Sequence, residues 1–141
     1  MRISTKGRYA LRVMLDLAER KDEGFISLSA IADRQNVSKG YLDQIMLMLN
    51  RTDFLQTARG AHGGYRLAHD PSDYTVGSIL RSTEGSLAPV PCLDDPARCE
   101  QEECMTREVW EGLDRVISGY VDRLTLQDVL NGEACVKETI E

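Results

Sequence analysis

Apolar residues recur at helical spacing along most of this chain and alternate in strand fashion in one short region. Ala10, Val13, Met14, Leu17 and Ala18 stand at i, i+3, i+4, i+7 and i+8. That is one face of an amphipathic helix over about residues 4–20. Gly24 ends the stretch, and Ser27 can cap a short helix whose inward stripe is Leu28, Ile31 and Ala32. After Gln35-Asn36-Val37, Ser38 offers another N-cap, and Tyr41, Leu42, Ile45, Met46 and Leu49 repeat at helical spacing behind it. Two helices joined by so short a polar turn predict a helix-turn-helix unit.

The alternating region follows. Phe54 to Arg59 and Tyr65 to Ala68 flank Gly60-Ala61-His62-Gly63-Gly64, which reads as a hairpin, and a hairpin in this place makes a wing. Thr75 can cap a helix through Val76, Ile79 and Leu80 that ends near Gly85. Residues 85–103 hold Pro89, Pro91 and Pro96 and show no period, so a loop is expected. From Met105, the positions Val109, Leu113, Val116, Ile117, Tyr120, Val121 and Leu124 keep the helical period for about five turns. The width of that stripe predicts a helix that lies across its equivalent in a second copy. Thr125 starts a last short helix with Leu126, Val129 and Leu130. The fold expected is mainly α with a small β-hairpin. It divides into a winged helix-turn-helix domain over 1–84, a cysteine-bearing loop over 85–104, a dimerisation helix with a short terminal helix over 105–130, and a polar tail over 131–141.

Charge sharpens this division. The chain of 141 residues has a net charge of −6, which suits a nucleic-acid binder poorly until it is split. Residues 1–70 balance at +3 and residues 71–141 at −9, a basic part for phosphates and an acidic part facing away. No apolar run approaches the roughly 18 residues of a membrane span, so no membrane partner is expected. The N-terminus enters a helical pattern without the apolar core of a signal peptide, which points to the cytoplasm.

In a helix-turn-helix the start of the second helix reaches base edges in the major groove of a double-stranded operator. The candidates there are Ser38, Lys39, Asp43 and Gln44, with Tyr41 bridging core and backbone. Gln44 can pair with adenine and Asp43 can accept from cytosine, while Ser38 and Lys39 suit phosphate. Arg59 stands at the mouth of the wing tip, placed for a narrow A·T minor groove. Gly60, His62 and Gly63 complete the tip, and Arg2, Lys6 and Arg8 are candidate phosphate contacts at the N-terminus.

Three of the four cysteines, Cys92, Cys99 and Cys104, fall in the acidic loop at C-x6-C-x4-C, and Cys135 stands apart in the tail. Reduced thiols so grouped are soft ligands for iron–sulfur clusters or zinc. The absence of tight C-x2-C pairs speaks against a zinc ribbon. A zinc-stabilised or thiol-redox interaction module remains the reading from another class. An enzyme is not expected, because no nucleophile–base set or glycine-rich phosphate loop follows a strand.

ISTKGRYAL at the start, SKGYLDQIM in the second helix, RGAHGGYRL in the wing and TLQDVL near the end together resemble the IscR/NsrR/CymR family of bacterial winged-helix regulators. The resemblance spans about residues 1–132. It implies a homodimer with a long C-terminal dimer helix and, in many members, an iron–sulfur cluster on three cysteines and a fourth ligand. The segment after Cys104 looks most like the IscR branch, which favours 2Fe–2S, with 4Fe–4S, as in the nitric-oxide-sensing branch, the alternative. Where that branch places a histidine ligand this chain has Arg107, which cannot ligate iron. The fourth ligand therefore stays open among His62, His69, the carboxylates Asp94, Asp95, Glu100, Glu102, Glu103 and Glu108, a partner subunit's residue and a small thiol. The CymR branch offers a different reading, a regulator of cysteine metabolism without a cluster and controlled by a regulatory protein partner.

Overall fold

In the computed structural model, which describes residues 2–134, the first stripe forms helix α1 (Thr5–Glu19). Its cap is the Ser4 hydroxyl, which accepts the Gly7 N–H at 3.1 Å. Helices α2 (Leu28–Gln35) and α3 (Lys39–Asn50) start on Ser27 and Ser38, whose hydroxyls accept from Ala30 and Tyr41. Between them Asn36 takes the left-handed conformation, φ 55°, which asparagine tolerates better than most side chains. That single residue lets the chain reverse within three positions and start α3.

The wing is an antiparallel pair, β1 (Leu55–Ala58) and β2 (Gly64–Leu67), with Leu55 opposite Leu67 and Ala58 opposite Gly64. It does not hang free. Ile26 and Tyr65 exchange both backbone hydrogen bonds at 2.8 Å, stitching the wing to the segment that enters α2. Gly64 sits at φ 146°, and a Cβ there would collide with the Ile26 backbone, so this close approach requires glycine.

Helix α4 (Val76–Glu84) follows, then the one-turn α5 (Pro91–Asp94), the long α6 (Arg107–Val121) and α7 (Leu126–Leu130). The main core gathers Val13, Met14 and Leu17 of α1, Ile31 of α2, Leu42, Ile45 and Leu49 of α3, Ile79 of α4 and Leu126 of α7, all essentially inaccessible. Each such side chain contributes about 1.5–3 kcal/mol of burial. Tyr74 closes the core under the wing: its hydroxyl donates to the Phe54 carbonyl at 2.7 Å and accepts the His69 N–H at 3.0 Å. A second cluster, Val76, Leu80, Leu87, Val121 and Leu124, packs α4 against the end of α6.

The long helix is shorter than its pattern predicts. Met105, 96% exposed, precedes it, and Leu124 lies beyond its end. The Leu124 carbonyl accepts the Val76 N–H at 2.7 Å, and Leu126 N–H donates to the Tyr74 carbonyl at 3.1 Å. A backbone committed to those partners cannot continue the helix, and Thr125 and Asp128 form a capping box that starts α7 instead. Arg81 fixes the same junction by forking the Asp122 carboxylate at 2.5 and 3.2 Å. The loop holds more regular structure than its aperiodic sequence suggests, α5 and a 3-10 turn at Pro96–Arg98. Both open on proline, and single turns are too short to show a period. Cys135 and the rest of the tail from there lie outside the described residues.

Candidate nucleic-acid interface and cysteine loop

The capping of α3 by Ser38 presents the next two turns to solvent. Lys39, Asp43 and Gln44 are exposed, and among the described residues neither the Lys39 nor the Gln44 side chain makes a hydrogen bond or ion pair. The Ser38 hydroxyl is already engaged at the cap, so its free share is the remaining lone pair and its proton. Tyr41 is half buried and meets Tyr9 of α1 edge-on, ring centroids 5.9 Å apart. The wing lies beside α3: Thr57 of β1 reaches Asn50 of α3 at 3.4 Å, and the charge of Asp43, after the larger effect of burial, helps push the Tyr65 hydroxyl above its ordinary value.

Arg59 leaves the end of β1 exposed and, among the described residues, without a hydrogen bond or ion pair. The tip turns through Gly60 at φ 101° and closes with Gly63 N–H donating to Gly60 carbonyl at 3.0 Å. A Cβ on Gly63 would strike the Ala58 and Arg59 backbone, so Gly63 is needed by the turn whatever it touches. His62 is exposed and borders a recess shared with Arg20 and Arg34. At the N-terminus Arg2 and Arg8 are exposed and Lys6 half buried; Arg8 donates to Thr5 at 3.2 Å.

Sequence reasoning missed the residues that orient this face. Asp16, on the inward side of α1, is only 4% exposed. It accepts from Arg34 at 2.9 and 2.6 Å and from Gln35 at 2.9 Å, both on α2. Gln35 in turn accepts from Arg12, whose guanidinium lies 4.7 Å above the Tyr9 ring that Tyr41 touches. The signal was present: an acid at the middle of the Val13-Met14-Leu17 stripe must find a cation.

The cysteine loop ends at α6. Cys92 lies in α5, Cys99 caps the 3-10 turn, and the Cys104 carbonyl accepts the Arg107 N–H at 3.2 Å. All three are free thiols and half buried. Cys99 donates to the Gln101 carbonyl at 3.1 Å, and Cys104 shares a 3.2 Å contact with the Thr106 hydroxyl. The Thr106 hydroxyl and N–H, aided by the Arg107 N–H and the Cys99 thiol, hold the Cys104 thiol below its ordinary value against a smaller opposing effect of burial. The Arg107 guanidinium pairs with Glu111 at 2.7 Å, and that contact chiefly raises its pKa; the charges of Cys92 and Cys99 add to the rise. Cys99, Cys104 and Arg107 share one recess with Glu100 and Glu102.

Of the three thiols, Cys99 and Cys104 share a recess with Arg107. In kind they fit a thiolate-held iron–sulfur group. Among the described residues no three His, Cys, Asp or Glu side chains are arranged to hold a single metal ion. No described helix is long and apolar enough to cross a membrane.

Known proteins share this architecture. The chain is 40% identical over 129 residues to the HTH-type transcriptional regulator CymR of Bacillus subtilis (strain 168), covering 92% of this chain and 89% of that protein. It is 34% identical over 140 residues to the HTH-type transcriptional regulator IscR of Serratia proteamaculans (strain 568), covering 94% and 81%. Among solved structures, CymR (YrzC), the global cysteine regulator of B. subtilis, superposes with a TM-score of 0.82 at 37% identity, over 94% of this chain and 98% of that one. IscR of T. potens follows with 0.77 at 35%, over 100% and 94%. The Rrf2 family, described as iron-dependent transcriptional regulator, matches residues 3–132. With its winged helix and these relatives, the chain belongs to the Rrf2 family of DNA-binding transcription regulators and is not an enzyme.

Proposed function

We propose that this regulator works in the cytoplasm as a homodimer on paired operator half-sites, and that an iron–sulfur cluster on Cys92, Cys99 and Cys104 sets its DNA affinity. The observation that carries this reading is the recess that Cys99 and Cys104 share with Arg107 at the start of α6, with Cys92 on α5 in the same loop. The other end of α6 is tied to the head by Arg81–Asp122 and by the Val121 and Leu124 cluster. A change at the loop thus has a rigid element through which to reach the winged helix.

Along α6, Val109, Leu113 and Val116 lie at i, i+4 and i+7 and are 59, 40 and 49% exposed, a seam suited to the same helix of a second copy. When bound, the cluster supplies iron's redox and ligand-exchange chemistry. The chain's own part is to offer thiolates, and Thr106 favours the ionised Cys104. The IscR-like flanks of Cys104 favour 2Fe–2S over 4Fe–4S. With Arg107 unable to ligate, Glu100 and Glu102, which line the same recess, are the nearby oxygen donors for the fourth position.

The likeness to CymR supports a second reading, a regulator of cysteine metabolism that binds no cluster and answers to a regulatory protein partner. There Cys104 would act as a reactive thiol. Anaerobic reconstitution with iron and sulfide separates the two. The cluster reading expects visible absorbance near about 400–450 nm, as such centres typically show, lost on changing any one of Cys92, Cys99 or Cys104 to alanine and kept in Cys135→Ala. Colourless protein under these conditions favours the second reading.

A further inference from the structure

The fold leaves one large apolar side chain of α3 in solvent. Leu47 is 58% exposed, whereas Leu42, Ile45, Met46 and Leu49 of the same helix are buried. Leu47 stands at i+4 from Asp43 and i+3 from Gln44, and at i+7 from Gly40. These spacings put it on the face that carries the candidate base-reading groups. In the described head, only Ile3, at 37%, is a comparably exposed large hydrophobe; the others belong to α6 or precede it.

Gly40 adds a second observation. A Cβ there would meet nothing within 4 Å, and its φ is not in the left-handed region, so the fold itself does not ask for glycine. A surface pressed close to the start of α3 would. The reading face of α3 is thus lowered at its first turn, polar at its second and apolar at its third.

We infer that Leu47 is a specificity residue that reads thymine by packing on its C5-methyl group in the major groove. The inference rests on α3 being the reading helix. Each base pair offers that groove a distinct set of donors and acceptors, and the thymine methyl is its one apolar feature. A leucine against a polar base edge would strip water from donors and acceptors that it cannot satisfy. Discrimination therefore comes from both the gain at thymine and the penalty elsewhere.

The experiment uses duplexes enriched by the wild-type protein from a randomised pool. Each thymine of a half-site is then replaced singly by deoxyuridine, which differs only in lacking the methyl. Wild type is expected to lose about fourfold in affinity at one such position, the effect of burying one methyl group. Leu47→Ala should bind that site more weakly and be indifferent to the same replacement, while Leu47→Met keeps the preference. Gln44→Ala is measured alongside. If Gln44→Ala weakens binding but no deoxyuridine affects wild type, or Leu47→Ala shows the same loss, the role of Leu47 is overturned. If Gln44→Ala and Leu47→Ala both bind as wild type does, the assignment of α3 as the reading helix falls with it.

Discussion

The buried Asp16 carboxylate of α1 holds the Arg34 guanidinium of α2 by two hydrogen bonds, at 2.9 and 2.6 Å. The pair fixes the angle between α1 and the first helix of the helix-turn-helix, and with Gln35 and Arg12 it reaches toward the Tyr9–Tyr41 contact on α3. Asp16→Asn should lower unfolding stability by about 1.5–3 kcal/mol, the range for hydrogen bonds to a charged group. Arg34 keeps partial access to water, its side chain 31% exposed, which moderates the loss.

The same pair carries a pH dependence. Burial pushes the Asp16 carboxyl up, but hydrogen bonds from Arg34 and Gln35 and the charges of Arg34 and Arg20 outweigh it, and its pKa lies below the ordinary value. A group depressed in the folded state stabilises fully above its unfolded value, about 3.9, and the contribution fades as pH falls through the folded value. Denaturant titrations from pH 7 down to about pH 3 should show wild type losing part of its advantage over Asp16→Asn only below about pH 4. An unchanged gap across that range would contradict the linkage.

At the DNA face, Gln44→Ala and Arg59→Ala should each weaken specific binding by about 1–3 kcal/mol. The loss at Arg59 should be greatest on sites with an A·T-rich minor groove. Gel-shift titrations on enriched and scrambled duplexes measure both. Lys39→Ala should instead weaken all duplexes alike and flatten the salt dependence, as removal of a phosphate contact does.

The seam on α6 can be broken without disturbing the head. Leu113→Lys and Val116→Glu place charges on exposed positions and should give folded monomers in sedimentation, with weak operator binding because paired half-sites are no longer engaged. Val121→Lys is different: Val121 is buried against α4, so it should lower the melting temperature. Wild type sedimenting as a stable monomer at micromolar concentration would remove the dimer from the account.

Much of this was legible before the fold was. Ser27, Ser38 and Thr75 are helix caps in the structure, where short polar side chains precede apolar stripes. The wing follows from glycines on either side of a short alternation. Other features depend on tertiary partners that a periodic pattern does not encode. The stripe of α6 read as one wide face, yet it divides into Val121, which enters the head, and Val109, Leu113 and Val116, which do not. Only the packing of α4 tells them apart. Leu124 fits the helical period and still lies outside the helix, because a distant N–H takes its carbonyl. The spacing of the cysteines named a donor set but could not show that Cys99 and Cys104 share a recess with Arg107.

Cys104 provides a test independent of DNA. The Thr106 hydroxyl and N–H favour its thiolate. Alkylation of Cys104, followed by mass spectrometry against pH in cluster-free protein, should have its midpoint below the ordinary thiol value of about 8.5. Thr106→Val should move that midpoint upward. The same midpoint in both proteins would remove Thr106 as the cause.

Coupling through α6 should carry chemistry at the cysteine loop to the DNA face. Its most direct test is the operator affinity of one anaerobic preparation, measured with the cluster reconstituted and again after its removal. The affinities should differ by about 5- to 150-fold, the usual range for coupling between two sites, and the Cys92→Ala protein should bind as the cluster-free form does. Equal affinities of the two forms on every enriched duplex would contradict it.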